Sequence, residues 1–204
     1  MADYRSKILK KLAYHLSLSY REKATDALLP YLEGFQLFRR GRRKQLRNVL
    51  EEVHPMLEYR LHLFDYQFYR GRGKHCRVYK QTVFFIRSKR LGLPAFHMRP
   101  ESILHNLGEW LRLRSDIDFS NFPQFSKQYE LQGADEDYIR ATITEEVLHF
   151  FTEHKNWHME GVNYYLILYK KNRLVPASEI KEFLRVGLYL AKILEAKDLD
   201  LSYE

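Results

Sequence analysis

Hydrophobic residues recur at helical spacing in several parts of the chain. Near the N-terminus they predict an amphipathic helix over residues 6–19, with basic residues outside the apolar stripe. The same spacing predicts a helix from about residue 135 to 151 and a last helix that opens at Pro176. Shorter helices are predicted over 25–32 and 100–111. The apolar stripe of the first helix consists of Ile8, Leu9, Leu12, Ala13 and Leu16.

The middle of the chain changes to the two-residue period of β-strands. Apolar and polar residues alternate over 57–68, glycines at 71 and 73 permit a reversal, and residues 78–86 resume with β-branched and aromatic side chains. These features predict a long hairpin. A second hairpin is predicted over 157–170, and shorter strands over 46–51, 93–99 and 129–131. Because Phe84 and Phe85 are consecutive and bulky, both faces of the central strand are expected to be covered.

The order of these elements predicts an α+β fold, in which hairpins build an antiparallel sheet and helices pack on one of its faces. Hydrophobic residues make up 45% of the chain and aromatic residues 15%, and no stretch is polar enough to form a linker. One compact domain is therefore expected. Within it, residues 1–34 are assigned to an N-terminal helical segment and residues 35–204 to the α+β domain.

Cysteine content and hydropathy bear on where the protein resides. Cys76 is the single cysteine, so the chain forms no intramolecular disulfide. No run approaches the roughly 18 apolar residues of a membrane-spanning helix. Cytoplasmic residence, with possible attachment to the periphery of the inner membrane, is the expectation that follows.

Charge is distributed unevenly along the chain. Residues 1–100 carry 22 Lys and Arg against 8 Asp and Glu, whereas the whole chain has a net charge of +8. Six cations fall within residues 39–47, which predicts either a solvated turn or a surface for an acidic protein, a nucleic acid or an anionic membrane. The predicted polyanion-binding residues are Arg39, Arg40, Arg42, Arg43, Lys44, Arg47, Arg70, Arg72 and Lys74.

A second candidate site consists mainly of carboxylates. Asp116 and Asp118 share one face of an extended segment, and with Arg99, Glu101 and Asp65 they form either a ligand site or a buried polar network in which Asp65 pairs with Arg99. Asp116 and Asp118 have the spacing of an Asp-x-Asp metal motif, and Glu146 and His149 have the i, i+3 spacing of di-iron ligands, but neither pair comes with the further elements that such a site needs. We therefore predict no catalytic residue, metal site or cofactor.

Short motifs spread over residues 35–196 resemble, in their order and spacing, those of an uncharacterised bacterial domain family. The resemblance implies unknown function and an N-terminal membrane segment in many members, where this chain has a basic amphipathic segment. It supplies no functional residues. The motifs include Phe64-Asp-Tyr66, Gln81-Thr-Val83, Leu93-Pro-Ala-Phe96, Arg99-Pro-Glu101, Asp116-Ile-Asp-Phe119, Phe125-Ser126, Tyr129 to Gly133, Asp135-Glu136 and Glu160-Gly161.

Two functional hypotheses follow from the sequence. The first is a non-enzymatic interaction module whose basic surface meets an acidic partner. The second is a small-ligand-binding protein or an enzyme that uses the loop containing Asp116 and Asp118, near Arg99 and Glu101.

Overall fold

A computed structural model describes residues 4–54, 59–101 and 116–195 of the chain. In these ranges eight strands form one open antiparallel sheet in the order β1-β2-β3-β4-β8-β7-β5-β6. The strands are β1 (Ser19–Lys23), β2 (Arg42–His54), β3 (Tyr59–Arg70), β4 (Arg77–Ser88), β5 (Leu93–Pro100), β6 (Tyr129–Gly133), β7 (His158–Asn163) and β8 (Tyr165–Tyr169). The helices are α1 (Tyr4–His15), α2 (Leu29–Leu32), α3 (Gln36–Arg39), α4 (Pro123–Gln128), α5 (Glu136–Thr142), α6 (Glu145–Glu153) and α7 (Ile180–Ile193).

The predicted α+β fold, with a sheet built largely from hairpins, is confirmed. Strands β3 and β4 pair without a register break from Tyr59 opposite Ser88 to Arg70 opposite Arg77. The β7–β8 hairpin turns where predicted, with Asn163 at a φ of 52°. Asparagine tolerates this left-handed conformation better than most residues, which suits it to a tight turn.

One face of the sheet carries the larger core. Helix α1 and helices α5 to α7 pack there against alternate strand residues such as Leu61, Leu63 and Phe84. Gly187 of α7 lies directly on Phe84, where a Cβ atom would come within 2.4 Å of the ring. Glycine at position 187 allows the helix and the strand to approach this closely.

The opposite face is also covered, so the prediction of helices on one face only was wrong. Residues 28–38, including α2 and most of α3, pack on Phe64, Phe85 and Ile167. The prediction that both faces around Phe84 and Phe85 are covered is confirmed, because both rings are at most 1% exposed. The helix predicted over 25–32 contains α2, but its packing on this face was not predicted, and α3 was missed because it is only four residues long.

Other local predictions changed in detail. The single helix predicted over 135–151 is two helices, which break at Ile143 and Thr144. The N-terminal segment contains the edge strand β1, which pairs with β2. The helix predicted over 100–111 lies largely outside the described residues. Among the helices that are described, none is long and apolar enough to cross a membrane.

Candidate functional site

The predicted polyanion-binding residues lie together in space. Arg42 opens β2 and donates a hydrogen bond from Nη2 to the carbonyl oxygen of Gly71, at 2.8 Å, in the β3–β4 turn. The run at 39–47 and the predicted turn cations therefore meet at one end of three adjacent strands. Arg77 and Lys80 at the start of β4 join them. These eleven exposed residues, which we call the hairpin-end cations, are Arg39, Arg40, Arg42, Arg43, Lys44, Arg47, Arg70, Arg72, Lys74, Arg77 and Lys80.

The hairpin-end cations differ from the other arginines in their partners. Most of the other arginines in the described ranges pair with an acid, as Arg140 does with Glu136 and Arg173 with Glu179. Within the described ranges, no Asp or Glu lies within ion-pair distance of any hairpin-end cation. Arg70 and Arg77 even face each other across the β3–β4 ladder. Like charges directly opposite each other destabilise a sheet. This arginine pair therefore lowers the stability of the fold, and the fold does not depend on it.

The aromatic residues beside the basic run are not available for stacking. Phe35 is 2% exposed and Phe38 is 6% exposed, and both belong to the core of the second face. Neither ring is therefore exposed for stacking on a nucleic-acid base, and most of the exposed side chains at 39–47 are cationic.

Asp65 occupies a buried network on the face that α1 covers. Its carboxylate accepts hydrogen bonds from Arg5 Nε at 2.7 Å and Nη2 at 2.8 Å. Asn48 Nδ2 and Thr82 Oγ1 each donate a further bond at 2.9 Å. The predicted pairing of Asp65 with Arg99 was wrong. Three strands separate β3 from β5, which puts roughly 19 Å between them at about 4.8 Å per strand.

Arg99 instead pairs with Glu130 on the neighbouring strand β6, with 2.8 Å between Nε and Oε2. Asp116 accepts a hydrogen bond from the backbone N–H of Leu131 at 2.8 Å. Partial burial of this carboxyl, in an otherwise exposed residue, raises the pKa of Asp116 to about 6, and the nearby carboxylates of Asp118, Glu130 and Glu101 also raise it. The loop therefore gathers acids, and Asp116 anchors it to β6.

A polar cavity lies on the second face, between α3 and the strands β4, β8, β7 and β5. It has a volume of about 80 Å³. Its polar walls include Arg40, Gln81, His97, Arg99, His158 and Lys171, while Leu37, Phe68, Tyr79 and Tyr169 supply apolar surface. We call it the histidine pocket.

Glu160 lies beside the histidine pocket and is 2% exposed. Its carboxylate accepts hydrogen bonds from the backbone N–H groups of Gln36 at 2.5 Å and Leu37 at 3.2 Å, and from the hydroxyl of Tyr169 at 3.1 Å. Burial raises the pKa of Glu160 to about 7, although these hydrogen bonds oppose the shift. Glu160 therefore attaches α3 to the sheet.

The histidines of the pocket are held in their neutral form. Burial, and then the charges of Arg99 and Arg40, lower the pKa of His97 to about 4. Burial lowers the pKa of His158 to about 3, with smaller contributions from His97, Lys171 and Arg99. Sequence reasoning missed the histidine pocket because its polar residues come from several strands, among them β4, β5 and β7, and from two loops. The signal that was present is the alternation along β5 and β7, which puts His97, Arg99, His158 and Glu160 on one face.

In the described residues, no group of three or more His, Cys, Asp and Glu side chains is arranged to hold a metal ion. The fold and these sites thus define an open antiparallel α+β sheet with a cationic hairpin end and a polar pocket.

Comparison with known proteins adds a fold relationship. No protein-family model matches the chain, and no curated protein matches it in sequence. The crystal structure of the mycobacterial trehalose monomycolate transport factor A, TtfA, has a similar fold, with a TM-score of 0.62. The two are 12% identical in sequence, and the similarity covers 95% of this chain and 98% of that one. At this identity the likeness shows the fold alone.

Proposed function

We propose that this protein is an interaction module that binds an acidic partner through the hairpin-end cations. The observation that carries the proposal is the clustering of eleven exposed cations that have no acidic partner within the described ranges, whereas most arginines elsewhere in those ranges pair with an acid. Clustered unpaired charge of one sign attracts oppositely charged partners and accelerates their association. The expected bacterial origin, and the resemblance to an uncharacterised bacterial family, remain predictions.

The fold neighbour is consistent with an interaction role. Its name describes a factor in the transport of a lipid, trehalose monomycolate. Among acidic partners, this favours an anionic membrane surface as the first to test, with nucleic acid and acidic protein as the other arms. Peripheral membrane attachment from the cytoplasm would fit such a partner.

The test is binding of the full chain to vesicles of neutral lipid with and without an anionic lipid, and to RNA and DNA, over a series of salt concentrations. The attraction between solvent-exposed charges weakens as the salt concentration rises, because the Debye length falls from about 10 Å at 0.1 M to about 3 Å at 1 M. We expect salt-sensitive binding to one class of polyanion. For a nucleic acid, the slope of log affinity against log salt counts the phosphates neutralised, at about 0.9 for each in duplex DNA.

A four-residue variant locates the binding surface. Arg43, Arg47, Arg72 and Lys74 are exposed, and no side-chain hydrogen bond or ion pair is recorded for them in the described ranges. Changing all four to Gln should weaken binding by at least about tenfold, since each cation near an anionic surface contributes roughly 1 kcal/mol. The matched control changes Lys127, Lys155, Lys181 and Lys192 to Gln, an equal loss of charge elsewhere. Equal weakening by both variants, or by neither, contradicts the proposal.

Fewer observations support the second hypothesis, a ligand site at Asp116 and Asp118 with Arg99 and Glu101. Asp65 does not join these residues, Arg99 pairs with Glu130, and Asp116 bonds to backbone. No observation in the described residues favours catalysis there over a structural role.

A further inference from the structure

The histidine pocket contains a buried hydrogen-bond donor without an acceptor. Gln81 is 1% exposed, and its Oε1 accepts a hydrogen bond from the backbone N–H of Asn172 at 3.1 Å. This contact fixes the orientation of the amide, so that the Nε2 group is directed away from Asn172. Nε2 is buried and has no hydrogen-bond partner among the described residues. An unsatisfied buried donor destabilises the folded state, and such groups in native proteins call for an explanation.

A histidine nitrogen is in the same situation. The Nδ1 atom of His158 is buried and has no hydrogen-bond partner in the part of the chain that the structure describes. Since the ring is neutral at neutral pH, one of its two nitrogens carries a hydrogen that can be donated. The pocket therefore has two buried polar groups that a bound molecule would satisfy.

The charge around the pocket is positive. Arg40, Arg70 and Lys171 line it and pair with no Asp or Glu in the described ranges, while Arg99 is neutralised by Glu130. Glu160 does not line the cavity, and its oxygens already accept bonds from α3 and Tyr169. A ligand in this pocket thus meets cations and donors, which selects an anion with several acceptor oxygens.

The cavity is large enough for such a group. Its volume of about 80 Å³ exceeds the ~10–15 Å³ that a single water requires. The apolar wall formed by Phe68 and Tyr79 adds a surface for the carbon skeleton to which an oxyanion is attached.

We propose that the histidine pocket binds a phosphate monoester, through Gln81 Nε2, the His158 ring, Arg40 and Lys171. A phosphate monoester carries nearly two negative charges at neutral pH and three acceptor oxygens, which matches two unpaired cations and two orphan polar groups. This site shares Arg40 and Arg70 with the hairpin-end cations, but its other ligands, Gln81, His158 and Lys171, lie outside that group. It does not require that the hairpin-end cations bind a macromolecule.

The test measures binding of inorganic phosphate to the 204-residue chain by calorimetry, and follows the Gln81 side-chain amide and the His158 ring by NMR. Gln81→Glu keeps the Oε1 acceptor and replaces the orphan donor with a negative charge. Lys171→Gln removes one cation at an exposed position. Lys181→Gln, on the opposite face of the sheet, is the control for charge. Circular dichroism establishes that each variant folds, and Lys171→Gln preserves the test if Gln81→Glu does not.

We expect Gln81→Glu and Lys171→Gln each to weaken phosphate binding by about tenfold or more, because a hydrogen bond to a charged group contributes about 1.5–3 kcal/mol. Lys181→Gln and the four-residue hairpin-end variant should leave it unchanged. The proposal is overturned by the absence of phosphate binding at millimolar concentration. It is equally overturned if Lys171→Gln has no effect, or if Lys181→Gln weakens binding as much.

Vesicles distinguish the two sources of a phosphate monoester. Phosphatidic acid presents a terminal monoester, and phosphatidylglycerol at matched surface charge presents a diester. A preference for phosphatidic acid that Lys171→Gln abolishes supports the pocket and assigns the ligand to a lipid headgroup. Phosphate binding without that preference supports the pocket and assigns the ligand to a soluble phosphate.

Discussion

The Arg5–Asp65 ion pair is expected to contribute strongly to the stability of this fold. It joins α1 to the central strand β3 across 60 residues of sequence, and the two side chains are 18% and 11% exposed. Arg5 also donates from Nη1 to the carbonyl oxygen of Val175 at 2.8 Å, in the segment that leads to α7. The loss of Arg5 therefore loosens two helical segments from the sheet.

Replacing Arg5 with Met retains most of the apolar volume and removes the charge. Asp65 then remains buried with only Asn48 and Thr82 as donors. Removing one partner of a buried pair typically costs about 3–5 kcal/mol. Because both side chains retain some contact with water, we expect a loss of about 2–4 kcal/mol in the free energy of unfolding.

Urea unfolding followed by circular dichroism measures this quantity, provided that the slope of free energy against urea is unchanged. The control is Arg21→Met, since Arg21 is 57% exposed and lies 3.7 Å from Glu51, and this change should cost less than about 1 kcal/mol. In the double variant Arg5→Met with Asp65→Leu, the loss should be smaller than the sum of the two single losses. An Arg5→Met loss under 1 kcal/mol, or strict additivity in the double variant, refutes the reasoning.

Three further predictions concern packing and pH. Gly187→Ala should lower the free energy of unfolding by about 1–3 kcal/mol because the new Cβ atom meets the Phe84 ring, although Ala favours a helix over Gly by about 1 kcal/mol. Adding Phe84→Leu should restore part of the loss. A Gly187→Ala protein that is more stable than the parent would contradict the packing argument. The lowered pKa values of His97 and His158 mean that the unfolded chain takes up protons first, so their contribution to stability is lost as pH falls from about 6.5 towards 4. His158→Gln should reduce this slope by up to about 1.4 kcal/mol per pH unit in urea unfolding at several pH values, and an unchanged slope would exclude His158 as a cause. Glu160 acts in the opposite sense, because its raised pKa stabilises the folded state at low pH and this contribution is lost as pH rises towards about 7. The contribution of Asp116 is lost in the same way as pH rises towards about 6. Asp116→Asn should therefore make the free energy of unfolding fall less as pH rises from 4 to 7, and a steeper fall would contradict this assignment.

Local sequence pattern determined most of the strands, both hairpins and the helix that opens near Pro176. Alternation of apolar residues along β3 and β4 reports directly which side chains face each core, because successive strand residues point to opposite faces. The cationic run at 39–47 was equally visible, and its meeting with the turn at 70–77 followed from the pairing of β2 with β3. These features depend on neighbours in sequence or on a single hairpin register.

The tertiary structure decided which polar residues meet. Asp65 pairs with Arg5 instead of Arg99 because the strand order places β3 beside β2 and under α1, with three strands between β3 and β5. The histidine pocket likewise unites Gln81 on β4, His97 on β5 and His158 on β7, and sequence spacing carries no information on that contact. Periodicity specifies the face on which a side chain lies, whereas the order of the strands in the sheet specifies its neighbours across that face.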